Sequence, residues 1–368
     1  MAFPRFRLLA VLSFVFVLAA CSDSGSAPPA AYRDAGPFKA GVTTLMLADR
    51  MVEVWYPVNA GDEAGLERDA YFIRDALPDS LDALLPPDIN PPFVTDAYRD
   101  ATASDRGPFP LVLFAHGFAS FRDQSTFLTT HLASWGFVVA SVDYLERGLA
   151  SVLGQQPDPQ LEDTDLTRMI VSLLASENER EGGLLQGRVS TDRIAITGHS
   201  AGGGTAIRFG GDPDVVTYIP LSAGIFDDSM ASLPDKPSLW IVGAIDGVVD
   251  PQSVADAFAA ASVPARFVLI DNMGHLGPSD ICAIGDSGGG VVQIAIDAGL
   301  PIPDSLVRLG TDGCQPEALA PQDGWPTIRH FVTAQLRWAF GIDPEPVGLS
   351  ADAAAGLPEA SFTYQERL

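Results

Sequence analysis

Positive charge is what this 368-residue chain lacks: 22 lysines and arginines stand against 47 aspartates and glutamates, a net charge of −25. Phosphate backbones are attracted to basic surfaces, so nucleic acid is excluded as an expected partner. The plain reading of the imbalance is a solvated acidic surface, as on an exported or salt-adapted protein. Cysteine is scarce as well, at three residues, which allows one internal disulfide at most. Internal repeats are missing, which excludes repeat architectures. The apolar run over residues 8–20 is too short to make a stable membrane span.

That run follows Arg5 and Arg7, so residues 1–20 read as an export signal. Leu18-Ala19-Ala20-Cys21 then resembles a bacterial lipobox, in which Cys21 becomes the first mature residue and its lipid tethers the protein to a membrane without spanning it. Ordinary secretion with cleavage near Ala20 is the alternative. Residues 21–35 read as the lipidated cysteine and a flexible tether, rich in serine, glycine and proline. With Cys21 lipidated, Cys282 and Cys314 remain as a pair in an oxidising compartment, where a bridge is expected. Such a bridge would contribute about 3.5–4 kcal/mol in the chain-entropy model; two buried free thiols are the bland alternative.

Hydrophobic content of 47% supports one large core. The reading is a single α/β domain over 36–341, with an insertion at about 59–107, a glycine-rich loop at about 276–324, and a tail over 342–368. Two β-rich runs, 42–47 and 51–56, predict a hairpin at the sheet edge. The insertion has no periodicity and much Asp and Pro, so it reads as a surface excursion with short helices, able to wall an active site. Apolar strands at 110–115, 137–142, 193–199, 215–221, 239–243 and 266–270 then alternate with helical patterns, the last running over 327–340. This alternation predicts a mostly parallel sheet covered on both faces, with its chemistry at the carboxyl ends of the strands.

At one such end stands Gly198-His199-Ser200-Ala201-Gly202. It fits G-x-S-x-G, the nucleophile elbow, in which a sharp strand-to-helix turn projects the serine hydroxyl beyond the sheet. Gly285-Asp286-Ser287-Gly288-Gly289 fits the same pattern, but no strand precedes it, and Ser287 reads as glycine-rich loop. A serine needs a base, and the base needs an anionic partner. His275, in a loop directly after a strand, is the expected base; His330 lies inside the last helix, and His131 falls on an apolar helical stripe. For the acid, Asp246 and Asp250 compete. Asp250 precedes Pro251 and reads as a helix N-cap, so Asp246 is preferred.

Phe114-Ala115-His116-Gly117-Phe118, Gly198-His199-Ser200-Ala201-Gly202-Gly203, Gly243-Ala244-Ile245-Asp246 and Gly274-His275 together resemble exported serine esterases of the α/β-hydrolase superfamily. The nearest branch is that of platelet-activating-factor acetylhydrolase-like and bacterial cutinase-like or polyester-hydrolase-like enzymes. Dienelactone hydrolases are similar but carry cysteine where this chain has Ser200. The resemblance covers roughly residues 40 to 340 and implies an α/β-hydrolase fold, hydrolysis of small-molecule, lipid or polyester esters, and no cofactor or metal. It also implies that the backbone amides of Phe118 and Ala201 form the oxyanion hole, with the Phe118 side chain flooring the acyl pocket. The long loop after His275 departs from the family pattern and bears on substrate access. A peptidase of the same fold and an inactive surface-binding lipoprotein are the rival readings.

Overall fold

Along the central strands, side chains alternate between two cores. Leu111 and Leu113 enter one while Val112 and Phe114 enter the other, and Trp240 and Val242 oppose Leu239 and Ile241 in the same way. A strand whose two faces are both buried has to be apolar throughout, which is why these segments read as continuous hydrophobic runs. The computed structural model describes residues 1, 30–225, 233–285, 290–300 and 302–368. The leader, Cys21 and Ser287 lie outside the described residues.

The strands are β1 (Lys39–Leu47), β2 (Arg50–Val58), β3 (Arg68–Tyr71), β4 (Phe93–Arg99), β5 (Phe109–Ala115), β6 (Val138–Val142), β7 (Val189–His199), β8 (Val215–Leu221), β9 (Ser238–Gly243), β10 (Ala265–Ile270) and β11 (Phe362–Arg367). They make one eleven-stranded sheet in the order β11-β10-β9-β8-β7-β5-β6-β2-β1-β4-β3, parallel from β10 to β6. The helices are α1 (Asp79–Asp82), α2 (Thr126–Ser134), α3 (Leu149–Val152), α4 (Asp163–Glu179), α5 (Ala201–Phe209), α6 (Pro251–Ala260), α7 (Gly290–Asp297), α8 (Asp304–Leu309) and α9 (Pro321–Ala339). Leu166 and Ile170 of α4, Ile207 of α5 and Val254 of α6 fill one core. Leu128 and Leu132 of α2 with Ile328 and Phe331 of α9 fill the other. The mixed sheet with helices on both faces is an α/β fold.

Two expectations change. The β1–β2 hairpin forms in antiparallel register but is not at the edge, because β4 pairs parallel to β1 and β3 pairs with β4 beyond it. Both added strands come from the 59–107 insertion, where Asp and Pro conceal the short alternation that buries Thr95 and Ala97 of β4. The second change is the tail: β11 lies within residues 342–368 and pairs antiparallel with β10. Its aromatic residues drive this. Phe362 packs edge-on against Phe331 of α9, at 5.2 Å between ring centroids, and Tyr364 stacks on the same ring at 5.5 Å.

Candidate active site

β7 runs into Ser200, whose backbone turns sharply to φ 55°, ψ −120° before α5 begins. A non-glycine residue seldom holds such a conformation, and here the surroundings impose it. The Ser200 amide donates to Leu221 O at 2.9 Å. Behind the turn β5 comes so close that a Cβ on Gly202 would lie 2.0 Å from Ala115 O. No side chain fits there, so the second glycine of the motif is a packing requirement.

His275 follows β10 and Asp246 follows β9, so neighbouring parallel strands deliver both to the same end of the sheet as Ser200. His275 Nε2 lies 2.9 Å from Ser200 Oγ, and its Nδ1 lies 2.9 and 3.1 Å from the two Asp246 carboxylate oxygens. The His275 side chain is buried and so is that of Asp246. Burial pushes the Asp246 carboxyl up, but the hydrogen bond and charge of His275, with the amides of Val249 and Val248, outweigh it and hold the group below the usual carboxylate value.

The competing residues are engaged elsewhere. Asp250 caps α6, its Oδ1 accepting from the Gln252 amide at 2.9 Å. His330 is buried in α9 and faces Gly348 O through Nε2 at 2.9 Å. His131 is buried in α2 with its Nε2 3.0 Å from Tyr32 O. Ala201 opens α5 directly after Ser200, and Phe118 lines the same cleft as the serine. The amides on either side of Phe118 are occupied, Gly117 N–H by Gln124 Oε1 at 2.6 Å and Ala119 N–H by Arg147 O at 2.8 Å. The Phe118 side chain differs from expectation: at 49% exposure it forms a rim of the cleft and not its floor.

Two residues that the sequence did not single out tie these loops together. Gln124 accepts from Gly117 and donates to His199 Nδ1 at 2.5 Å, and His199 Nε2–H donates to His275 O at 2.8 Å. Burial, with the nearby His275, pushes His199 down to about 3, so it stays neutral and the direction of this chain is fixed. The chain joins the Phe118 loop, the elbow and the His275 loop. Asp312 does the same from the far side. Its Oδ1 accepts from the His275 amide at 2.6 Å, its Oδ2 from the Gly247 amide at 3.2 Å, and its carbonyl from the Leu276 amide at 2.9 Å. It thus clamps the His275 loop to the Asp246 loop. Two residues on, Cys314 is bridged to Cys282, with Cα atoms 5.1 Å apart. The only local hint of Asp312 is an Asp-Gly turn signal, common enough to pass unnoticed.

Removing that clamp shifts the imidazole without touching any reacting atom. Asp312→Ala is expected to lower kcat on the order of 10²-fold, the scale of a misplacement of about 1 Å, with KM little changed. Steady-state kinetics on a soluble ester check this. A wild-type kcat in a folded Asp312→Ala protein would mean that the loops hold their places without it.

A family model described as PET hydrolase-like matches residues 97–279. A bis(hydroxyethyl) terephthalate hydrolase of Streptomyces coelicolor is 27% identical over 183 residues, 48% of this chain and 54% of that protein. Cutinase 1 of Thermobifida cellulosilytica is 24% identical over 181 residues, 48% of this chain and 63% of that one. The solved ferulic acid esterase of Streptomyces cinnamoneus superposes with a TM-score of 0.61 at 22% identity, covering 88% of this chain and 96% of that one. The chain has the α/β-hydrolase fold, and over about half its length it is similar to cutinase-like esterases. The stretch matched by the family model holds Ser200, Asp246 and His275 but ends before Asp312 and Cys314 and begins after β3. The chain spans little more than half the length of the first of these relatives, 54%.

Proposed function

We propose that the chain is a carboxylic-ester hydrolase that works through an acyl-serine. The observation that carries the reading is the 2.9 Å contact between His275 Nε2 and Ser200 Oγ at an elbow of φ 55°. The names of the relatives, terephthalate-ester hydrolase, cutinase and ferulic acid esterase, all denote ester cleavage. Ser200 Oγ bonds to the ester carbonyl carbon as its proton passes to His275 Nε2, and the amides of Phe118 and Ala201 hold the oxyanion. The carbon–oxygen bond to the alcohol then breaks, and the Nε2 proton leaves with the alcohol. Water next gives a proton to His275 and adds to the acyl carbon; the bond to Oγ breaks, and Ser200 regains its proton. Asp246 stays ionised throughout, fixing the imidazole tautomer and supporting its charge.

The leader and the lipobox-like Leu18-Ala19-Ala20-Cys21 support export with a lipid anchor on Cys21 as part of this proposal. The chemistry is tested with a fluorescent organophosphonate and p-nitrophenyl butyrate. One equivalent of label on Ser200, ester turnover, and loss of both in Ser200→Ala are expected. A folded protein that does not label, or one that labels but cleaves peptides and no esters, would overturn the reading.

A further inference from the structure

The segment 73–91, before the family-model match, and the residues 290–300 and 302–310, after it, meet above Ser200. Ile73 and Ala76 of the first pack with Val291 of the second on a small core of Tyr71, Phe121 and Ile284. The contact continues at Gly285, where a Cβ would lie 2.5 Å from Ile294 and 3.5 Å from Pro91. Together the segments roof the cleft. Leu81 and Leu85 of the first and Ile294 and Leu306 of the second face it from above, while Phe118 and Leu153 line it beside Ser200.

The lining is apolar. Among the described residues around the cleft, Arg74 carries the one formal charge, and its guanidinium is engaged. Nε donates to Asp82 Oδ1 at 2.6 Å, Nη1 to Pro86 O at 2.8 Å and to Ile89 O at 3.1 Å, and Nη2 to Asp82 O at 3.1 Å. A charged or strongly polar substituent taken under the roof would lose its water and find no partner. A flat polymer surface is held off by the roof itself.

We infer, resting on the ester-hydrolase reading, that the substrate is an ester carrying one long, flexible, uncharged aliphatic chain, which threads singly beneath this roof to reach Ser200. Each methylene removed from water contributes a factor of about four to binding. The roof is therefore a specificity element: it selects by chain length and rejects by charge.

The test uses two matched series with the mature protein: p-nitrophenyl esters from acetate to dodecanoate, and acetates of alcohols from ethanol to dodecanol, below their aggregation limits. In at least one series kcat/KM is expected to rise on the order of 10²-fold between chains of two and eight carbons, at up to about fourfold per methylene. An ω-carboxylate at the far end of the chain should cancel the gain. Leu81→Asp and Ile294→Asp, each placing a charge under the roof, should lower the ratio of long-chain to acetyl kcat/KM by more than tenfold. Flat or falling series, or unchanged ratios in both folded variants, would overturn the proposal. Phosphonate labelling separates the levels. Protein that labels at Ser200 and cleaves acetates while the series stay flat loses only the roof proposal. Protein that neither labels nor cleaves any ester loses the hydrolase reading and this one with it.

Discussion

Asp246→Asn is expected to leave the protein folded and its turnover lower by about 10⁴, the size of the loss when this position is made an amide in another serine hydrolase. The asparagine oxygen can still accept from the Val248 and Val249 amides, which Asp246 Oδ1 engages at 2.9 and 2.8 Å. What is lost is the anion against His275 Nδ1. An amide NH₂ turned toward that nitrogen would hold the proton on Nε2, the tautomer unable to accept from Ser200. KM should move little, because the carboxylate touches no substrate atom. Asp250→Asn is the matched control. Its side chain caps α6, a task asparagine performs about as well, so turnover should stay within about twofold, while Asp250→Ala should cost about 0.5–2 kcal/mol of stability. Steady-state kinetics with circular dichroism on the three variants decide the matter. Loss of turnover in Asp250→Asn with a normal Asp246→Asn would reverse the assignment of the acid.

Gly202→Ala should do its damage in stability. The added methyl would sit 2.0 Å from Ala115 O and 2.4 Å from Ala115 C, main-chain atoms of the central strand β5. A flexible side chain could swing away; a strand bonded on both sides cannot. Either β5 or the elbow has to move, at a cost of more than about 3 kcal/mol, or roughly 4 °C in melting temperature for a domain of this size. Gly204→Ala, one residue beyond the next glycine, is the contrast. Its methyl would meet Arg208 Nη1 at 3.3 Å and no backbone, so the gain in helix propensity, up to about 1 kcal/mol, should prevail. Thermal unfolding of the pair is the measurement. A Gly202→Ala protein melting with the wild type would contradict the close approach of β5.

What the sequence disclosed follows from how local each signal is. Ser200 stands beside its own evidence, a β-branched strand before it and small residues after it. His275 and Asp246 each sit one loop beyond an apolar strand, and parallel order brings such loops to one end. The central strands were legible because burial on both faces makes them uniformly apolar. β3 and β4 were not, since they extend the sheet at a half-exposed margin, where Asp, Arg and Thr are tolerated. β11 was passed over because its outer residues, Gln365, Glu366 and Arg367, are those of a solvated segment; what pins it is Phe331, far away in sequence. Gln124 and Asp312 were invisible for a related reason. Their partners are main-chain groups and a histidine, all but Gly117 from loops remote in the chain, and backbone acceptors and donors leave no residue type to read.

The Cys282–Cys314 bridge closes a ring of sequence separation 32 that contains both α7 and α8. The ends of that ring are fixed where Asp312 grips the His275 loop, so changes of length or composition between the cysteines need not travel outward. Lengthening a loop whose ends are already joined adds little cost. The half of the roof that the ring carries can therefore diverge almost independently of Ser200, His275 and Asp246, and homologues that share the same reaction could take up new esters by exchanging this cassette alone.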